Sequence, residues 1–104
     1  MTYIQYIYMP LDLYSDIKVA TKRAKEYLGK DVKLYRSTRK DKKYMVYPPD
    51  SNTPVHFGQM GYEDYTKHKD DKRRQSYLAR ATKIEGNWKQ NKYSPNNLAI
   101  HILW

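Results

Sequence analysis

Three histidines and a scatter of aspartates are the residues to test first for chemistry, because imidazole and carboxylate together serve acid–base catalysis and metal binding. His56, His68 and His101 fall on separate segments with no His-x-x-x-His pair or equivalent ligand spacing. A metal site needs Asp64, Asp70 or Asp71 to converge on them through the fold. The run His68-Lys69-Asp70 has the letters of a hydrolytic centre, yet an aspartate after a basic turn is equally a helix cap. Gly58-Gln59-Met60-Gly61 is neither a phosphate-binding loop, since no Lys and Ser or Thr follow, nor a dinucleotide fingerprint. Ser15, Ser37, Ser51, Ser76 and Ser94 have no histidine beside them in sequence, and two of them read as caps. The absence of cysteine excludes disulfides, thiol nucleophiles and thiolate metal sites. The sequence reads as that of a non-enzyme, with no catalytic, metal or cofactor-binding residue and no cofactor.

What the chain does carry is charge. Twenty Lys and Arg against 11 Asp and Glu give a net charge of +9. The excess is concentrated in two segments, +8 over residues 17–45 and +5 over 67–83, with −3 over 46–66 between them. If the fold brings both segments to one side, the protein presents a single electropositive face to nucleic acid, an acidic protein surface or anionic lipid. Tyrosine is the other excess, at 12 residues against one phenylalanine. A phenol buries a ring and keeps a polar tip in water, which suits interfaces and shallow cores alike. Cations and phenols interleave in Lys33-Leu34-Tyr35-Arg36-Ser37-Thr38-Arg39-Lys40 and in Lys42-Lys43-Tyr44, a pattern able to neutralise phosphates and stack on bases. The same pattern contacts acidic proteins or is merely solvated. The contact candidates are Lys22, Arg23, Tyr35, Arg36, Arg39, Lys40, Lys42, Lys43, Tyr44, Arg73, Arg74 and Arg80.

The elements that must position these residues follow from periodicity. At 104 residues one domain spanning the whole chain is expected. Residues 1–9 form an apolar arm in which Tyr3, Tyr6 and Tyr8 are candidates for assembly contacts. Residues 15–28 read as a helix, with Leu13, Ile17, Ala20, Ala24, Tyr27 and Leu28 on one stripe, Ser15 as cap and Gly29 as stop. Strand-like runs at Val32–Thr38, Lys43–Tyr47 and Pro54–Phe57, separated by turn clusters, predict an antiparallel meander over 32–57. One face of that sheet is expected on the helix, and the other, rich in Lys and Tyr, is left for a partner. Asp70 and Asp71 open a helix running to about Lys83 with Gly86 as its stop, and Ser94 and Pro95 open a last short helix. Trp88 and Trp104 are expected to seal this helical part, 70–104, onto the core. The fold class is thus α+β: a three-stranded meander packed with an N-terminal amphipathic helix and two C-terminal helices. No run of about 18 apolar residues appears, so no membrane span is expected, and the amino terminus lacks the pattern of a signal peptide.

Val55-His56-Phe57-Gly58, Gly61-Tyr62 with Asp64-Tyr65, His68-Lys69-Asp70, Arg73-Arg74 with Tyr77 and Arg80, and the ending Ser94-Pro95-Asn96 with Leu98 and Leu103-Trp104 carry a resemblance. Tyr35-Arg36-Ser37-Thr38 and Lys43-Tyr44-Met45-Val46 extend it. The chain resembles, over roughly 70 residues, a family of small basic uncharacterised proteins of large nucleocytoplasmic DNA viruses of algae and protists. The resemblance implies a structural component of the virus particle. The expectation is a minor capsid protein that touches several other virion proteins, located in the virion and, during assembly, in host cytoplasm or nucleus. The alternative is a nucleic-acid-binding protein acting on viral DNA or RNA through its basic face.

Overall fold

Helix α1, Ile17–Leu28, begins where the Asp16 carboxylate accepts from the amides of Lys18 (3.0 Å) and Val19 (3.2 Å), filling two of the donors that every helix start leaves open. It stops at Gly29, whose φ of 117° a side chain would resist. The computed structural model describes residues 10–104, and the arm with Tyr3, Tyr6 and Tyr8 lies outside the described residues. Ala20 and Ala24 are fully buried, and these small residues let α1 lie close against the C-terminal segment Ala99–Leu103. Leu13 and Ile17, at the head of the predicted stripe, stay 56% and 37% exposed, so the buried seam is narrower than the pattern implied. The cap also differs from expectation. Ser15 is buried, accepts from the Tyr44 hydroxyl at 2.7 Å and lies 3.2 Å from the Thr66 hydroxyl, which leaves capping to its neighbour.

The sheet is an antiparallel meander in the order β1 (Tyr35–Arg36), β2 (Lys42–Val46), β3 (Val55–Gln59). Its register pairs Tyr35 with Met45, Arg36 with Tyr44, Tyr44 with Phe57, and Val46 with Val55. The α+β class predicted from the pattern is the one observed. The first strand is far shorter than expected, and the reason is local. Val32 donates to the Gly29 carbonyl, and the Lys25 ammonium binds the carbonyls of Lys30 and Val32, so this backbone is tied to the end of α1 before it can join the ladder. Val32 and Leu34 still pack on the core, which is the source of their alternation.

Side chains along a strand alternate between faces, so four consecutive buried residues mean both faces are covered. Lys43, Tyr44, Met45 and Val46 are all buried. The expected Lys- and Tyr-rich open face therefore does not exist along β2. Lys43 turns its ammonium to the Tyr62 carbonyl and the Asp64 carboxylate, in the segment that leads from Gly61 into the helices that follow.

Those helices are α2 (Tyr65–His68), capped by Asp64, and α3 (Asp71–Ala81), capped by Asp70. Helix α3 ends at Thr82, one turn before Gly86, where the apolar stripe gives out at a half-exposed Ile84. Trp88 belongs to a 3-10 turn, Trp88–Gln90, and its indole donates to the Ile84 carbonyl (2.8 Å). It closes a loop and does not join the core, contrary to expectation. Helix α4, Pro95–Leu98, starts with Ser94 as cap and Pro95 in its first turn, and it runs on into the π-helical turn Ala99–Leu103. The core is Leu11, Ala20, Ala24, Tyr44, Val46, Phe57, Leu98, Ile102 and Leu103, with Trp104 packed against it. Gly58, with φ of 85°, sits where a Cβ would stand 2.7 Å from Leu103 Cδ1 and 3.2 Å from Lys43 Cβ, so a side chain there is strained in backbone and crowds the contact of β3 with the C-terminal turn.

Candidate functional site

Between β2, β3, α3 and the C-terminal turn lies a cleft of about 740 Å³, within the range that buries a small ligand. Its apolar floor is Phe57, Gly58, Ala99 and Leu103, and Tyr77 and Trp104 stand beside it. Their rings stack at 4.2 Å with 8° between planes. Arg74 fixes this pair by donating from Nε to the Trp104 main-chain oxygen at 2.6 Å. Burial pushes the Tyr77 phenol above its ordinary pKa, keeping it neutral.

The wall formed by α3 is cationic for a geometric reason. Positions three, four and seven apart share a helix face, so Lys72, Arg73, Ser76, Tyr77 and Arg80 all line the cleft. Lys42 reaches it from the start of β2. The two basic segments of the chain thus meet across one concavity. Glu63 and Asp70 also line it, and both have local duties: Glu63 lies 3.8 Å from Arg73, and Asp70 caps α3 through the amides of Lys72 and Arg73.

Lys43 touches the cleft only with its stem. Its ammonium is buried and donates to Asp64 Oδ2 (3.1 Å) and to the carbonyls of Tyr62 (2.6 Å) and Tyr14 (3.4 Å). Desolvation holds its pKa below the ordinary lysine value, with the Asp64 charge opposing that shift. The other Asp64 oxygen accepts from the Thr66 amide and hydroxyl, and Thr66 meets Ser15, which accepts from Tyr44. Burial drives the Tyr44 phenol far above its ordinary pKa. Lys43 and Tyr44, both predicted contacts, are therefore interior residues of a polar network that ties the segment before α1 to β2 and α2.

The remaining candidates divide by place. Arg36 lies 3.3 Å from Asp12, and Arg39 grips Asp41 through two bonds of 3.1 and 2.9 Å that hold the β1–β2 turn and depress the Asp41 pKa. Tyr35 stays 42% exposed with its ring edge-on to Tyr47 at 5.9 Å. Lys22 and Lys40 are exposed. Arg23 is held below the ordinary arginine pKa by burial and then by nearby Arg74, which itself lies over the Tyr65 ring at 5.2 Å. Of the 12 contact candidates, then, Lys42, Arg73 and Arg80 bring their charges to the cleft. Tyr62, Lys72, Ser76, Tyr77 and Trp104 line it without having been predicted as contacts. The helical spacing of Lys72, Ser76 and Tyr77 relative to the predicted Arg73 and Arg80 was the signal available for three of them.

The histidines stay apart in role. His56 Nδ1 lies 2.7 Å from the Ser37 hydroxyl, His68 Nδ1 accepts from the Asp70 amide, and His101 stacks on Tyr27. Among the described residues, no group of three His, Asp or Glu side chains is placed to hold a metal ion. No described helix is long and apolar enough to cross a membrane.

No curated protein and no solved structure matches the chain. Residues 32–81, which run from the approach to β1 to the end of α3 and carry Lys42, Tyr62 and the whole cationic wall, are similar to a family of unknown function (DUF5754).

Proposed function

We propose that the protein binds nucleic acid through this cleft and does no catalysis there. One observation carries the reading: Lys42 and the α3 cations Lys72, Arg73 and Arg80, far apart in the chain, converge on a concavity that also holds Tyr62, Tyr77 and Trp104. Cations neutralise phosphates and aromatic faces take bases, so a nucleic acid engages both sets of side chains at once.

The test is a titration of the protein with a labelled oligonucleotide at 50 and 200 mM salt. About three phosphate contacts predict a log–log salt slope near −2, hence a loss of about 20-fold in affinity over that range. Replacing Lys72, Arg73 and Arg80 together by Gln should flatten the slope to about −0.7, the share of the one contact left at Lys42. Absence of measurable affinity at low salt refutes the reading.

A second reading, a minor capsid protein among other virion proteins, is supported by the exposed Tyr35–Tyr47 pair beside the two-residue edge strand β1. Aromatic residues with a wet tip are favoured at protein contacts. The two readings use different surfaces and are compatible in a packaged protein. Cross-linking of intact particles tests the second, which fails if no link to a capsid protein forms at Tyr35 or Tyr47.

A further inference from the structure

The size of the cleft bears on what part of a nucleic acid enters it. A volume of about 740 Å³ is that of a small-ligand pocket, and a mononucleotide is a ligand of that size. A base in a duplex is stacked and paired, with neither ring face available to a protein side chain. An unpaired base has both faces free.

Three features of the walls suit one unpaired unit. The Tyr77–Trp104 stack is held by protein contacts, the Arg74 bond to the Trp104 main chain and His68 against the indole, and so presents a preformed aromatic surface. Tyr62 is 69% exposed, the highest among the described large hydrophobic residues, and it lines the same cleft. Arg73 and Arg80 lie seven positions apart on α3 with the Ser76 hydroxyl between them, so two forked donors and a neutral one share a face. The phosphate of a nucleotide bound there is within the province of that face, and its base within that of the aromatic walls.

We infer that the cleft takes one unpaired nucleotide unit, its phosphate on Arg73, Ser76 and Arg80 and its base between Tyr62 and the Tyr77–Trp104 pair. The inference rests on the nucleic-acid reading above and narrows it to single strands. The same chemistry is offered by a free mononucleotide and by a unit within a strand, and affinity separates these sources. Lys42 and Lys72 flank the pocket and add attraction for neighbouring phosphates, so a short strand binds more tightly than its monomer.

The experiment compares five probes at 50 mM salt: an eight-nucleotide single strand, the same sequence as a duplex, the mononucleotide, inorganic polyphosphate and oligoglutamate. Each is titrated against the wild type, Tyr62→Leu and Arg80→Gln. Both changes are at exposed positions, so the fold is retained, which circular dichroism checks. The expected result is at least tenfold preference for the single strand over the duplex. Tyr62→Leu should weaken single-strand binding about 5- to 150-fold, the range for loss of one stacked base. Polyphosphate binding should be unchanged in Tyr62→Leu and reduced in Arg80→Gln. Equal binding of duplex and single strand, or an unchanged single-strand affinity in Tyr62→Leu, overturns the inference while the nucleic-acid reading stands. Oligoglutamate binding as tightly as the single strand overturns it too. No binding of any nucleic acid removes both.

Discussion

Replacing Lys43 by Met deletes an ammonium and leaves its aliphatic stem in place, so the cost reports the charge and its bonds, with little lost packing. The ammonium spends its three protons on Asp64, the Tyr62 carbonyl and the Tyr14 carbonyl. The lysine and aspartate side chains are 3% and 0% exposed, so water cannot replace it. After the change, Asp64 keeps the Thr66 amide and hydroxyl as donors but becomes a buried charge without a counter-ion. Tyr14 keeps a partner, the Asp64 amide at 3.0 Å, whereas Tyr62 loses its bond from Lys43. Breaking a buried pair from one side costs about 3–5 kcal/mol. A value near 4 kcal/mol is a large part of the roughly 5–15 kcal/mol that holds a domain of this size together.

Urea unfolding followed by circular dichroism measures it, and the midpoint should fall while the slope with denaturant stays constant. The double variant Lys43→Met with Asp64→Asn should recover about 2 kcal/mol of the loss, because the amide still accepts from Thr66 and strands no charge. A single variant within about 1 kcal/mol of wild type, against the 3–5 expected for a stranded buried charge, refutes the reasoning. So does a double variant less stable than the two single changes summed.

Three further outcomes follow from the same network and its surroundings. Tyr44→Phe loses the hydrogen bond to Ser15 and should cost about 1 kcal/mol at neutral pH. Its pH dependence is more telling. The native phenol holds its proton above the pH near 10 where the unfolded chain releases it, so wild-type stability falls relative to Tyr44→Phe as pH rises past 10, which urea titrations at pH 8–11 resolve. Gly58→Ala combines a left-handed φ with a methyl driven toward Leu103 and should cost about 2–4 kcal/mol by thermal or urea unfolding. Asp16→Ala should cost about 1 kcal/mol as a lost cap, so urea unfolding that finds no change would contradict the assignment of the cap to Asp16.

Sequence pattern was most informative where local physics decides structure. Gly29, Asp70, Ser94 and Pro95 mark helix boundaries because caps and stops depend on a residue and its few neighbours. The meander was legible from turn residues and alternation. It failed at residues 32–34, where a lysine from α1 competes for the carbonyls, a contact seven residues away that periodicity does not encode. The contact list failed in a more instructive way. Lys43 and Tyr44 stand in a basic, tyrosine-rich run and look like surface residues, yet each is interior because Asp64 and Ser15, 21 and 29 residues distant, meet them there. Pairing across the chain decides whether a lysine is buried, and one sequence does not display pairing. The cleft was half legible: Arg73 and Arg80 share a face by spacing alone, but that Lys42 and Trp104 complete the same concavity depends on tertiary packing.

The central claim is that attachment happens in the cleft and not on the exposed cations elsewhere. Amide chemical-shift mapping of the labelled protein, titrated with an eight-nucleotide single strand, tests it most directly. The account predicts that the perturbed amides gather at Lys42, Tyr62, along α3 from Lys72 to Arg80 and at Trp104, with Lys22, Arg36, Arg39 and Lys40 little changed. Perturbations centred on the β1–β2 turn and the outer face of α1, with α3 silent, contradict it.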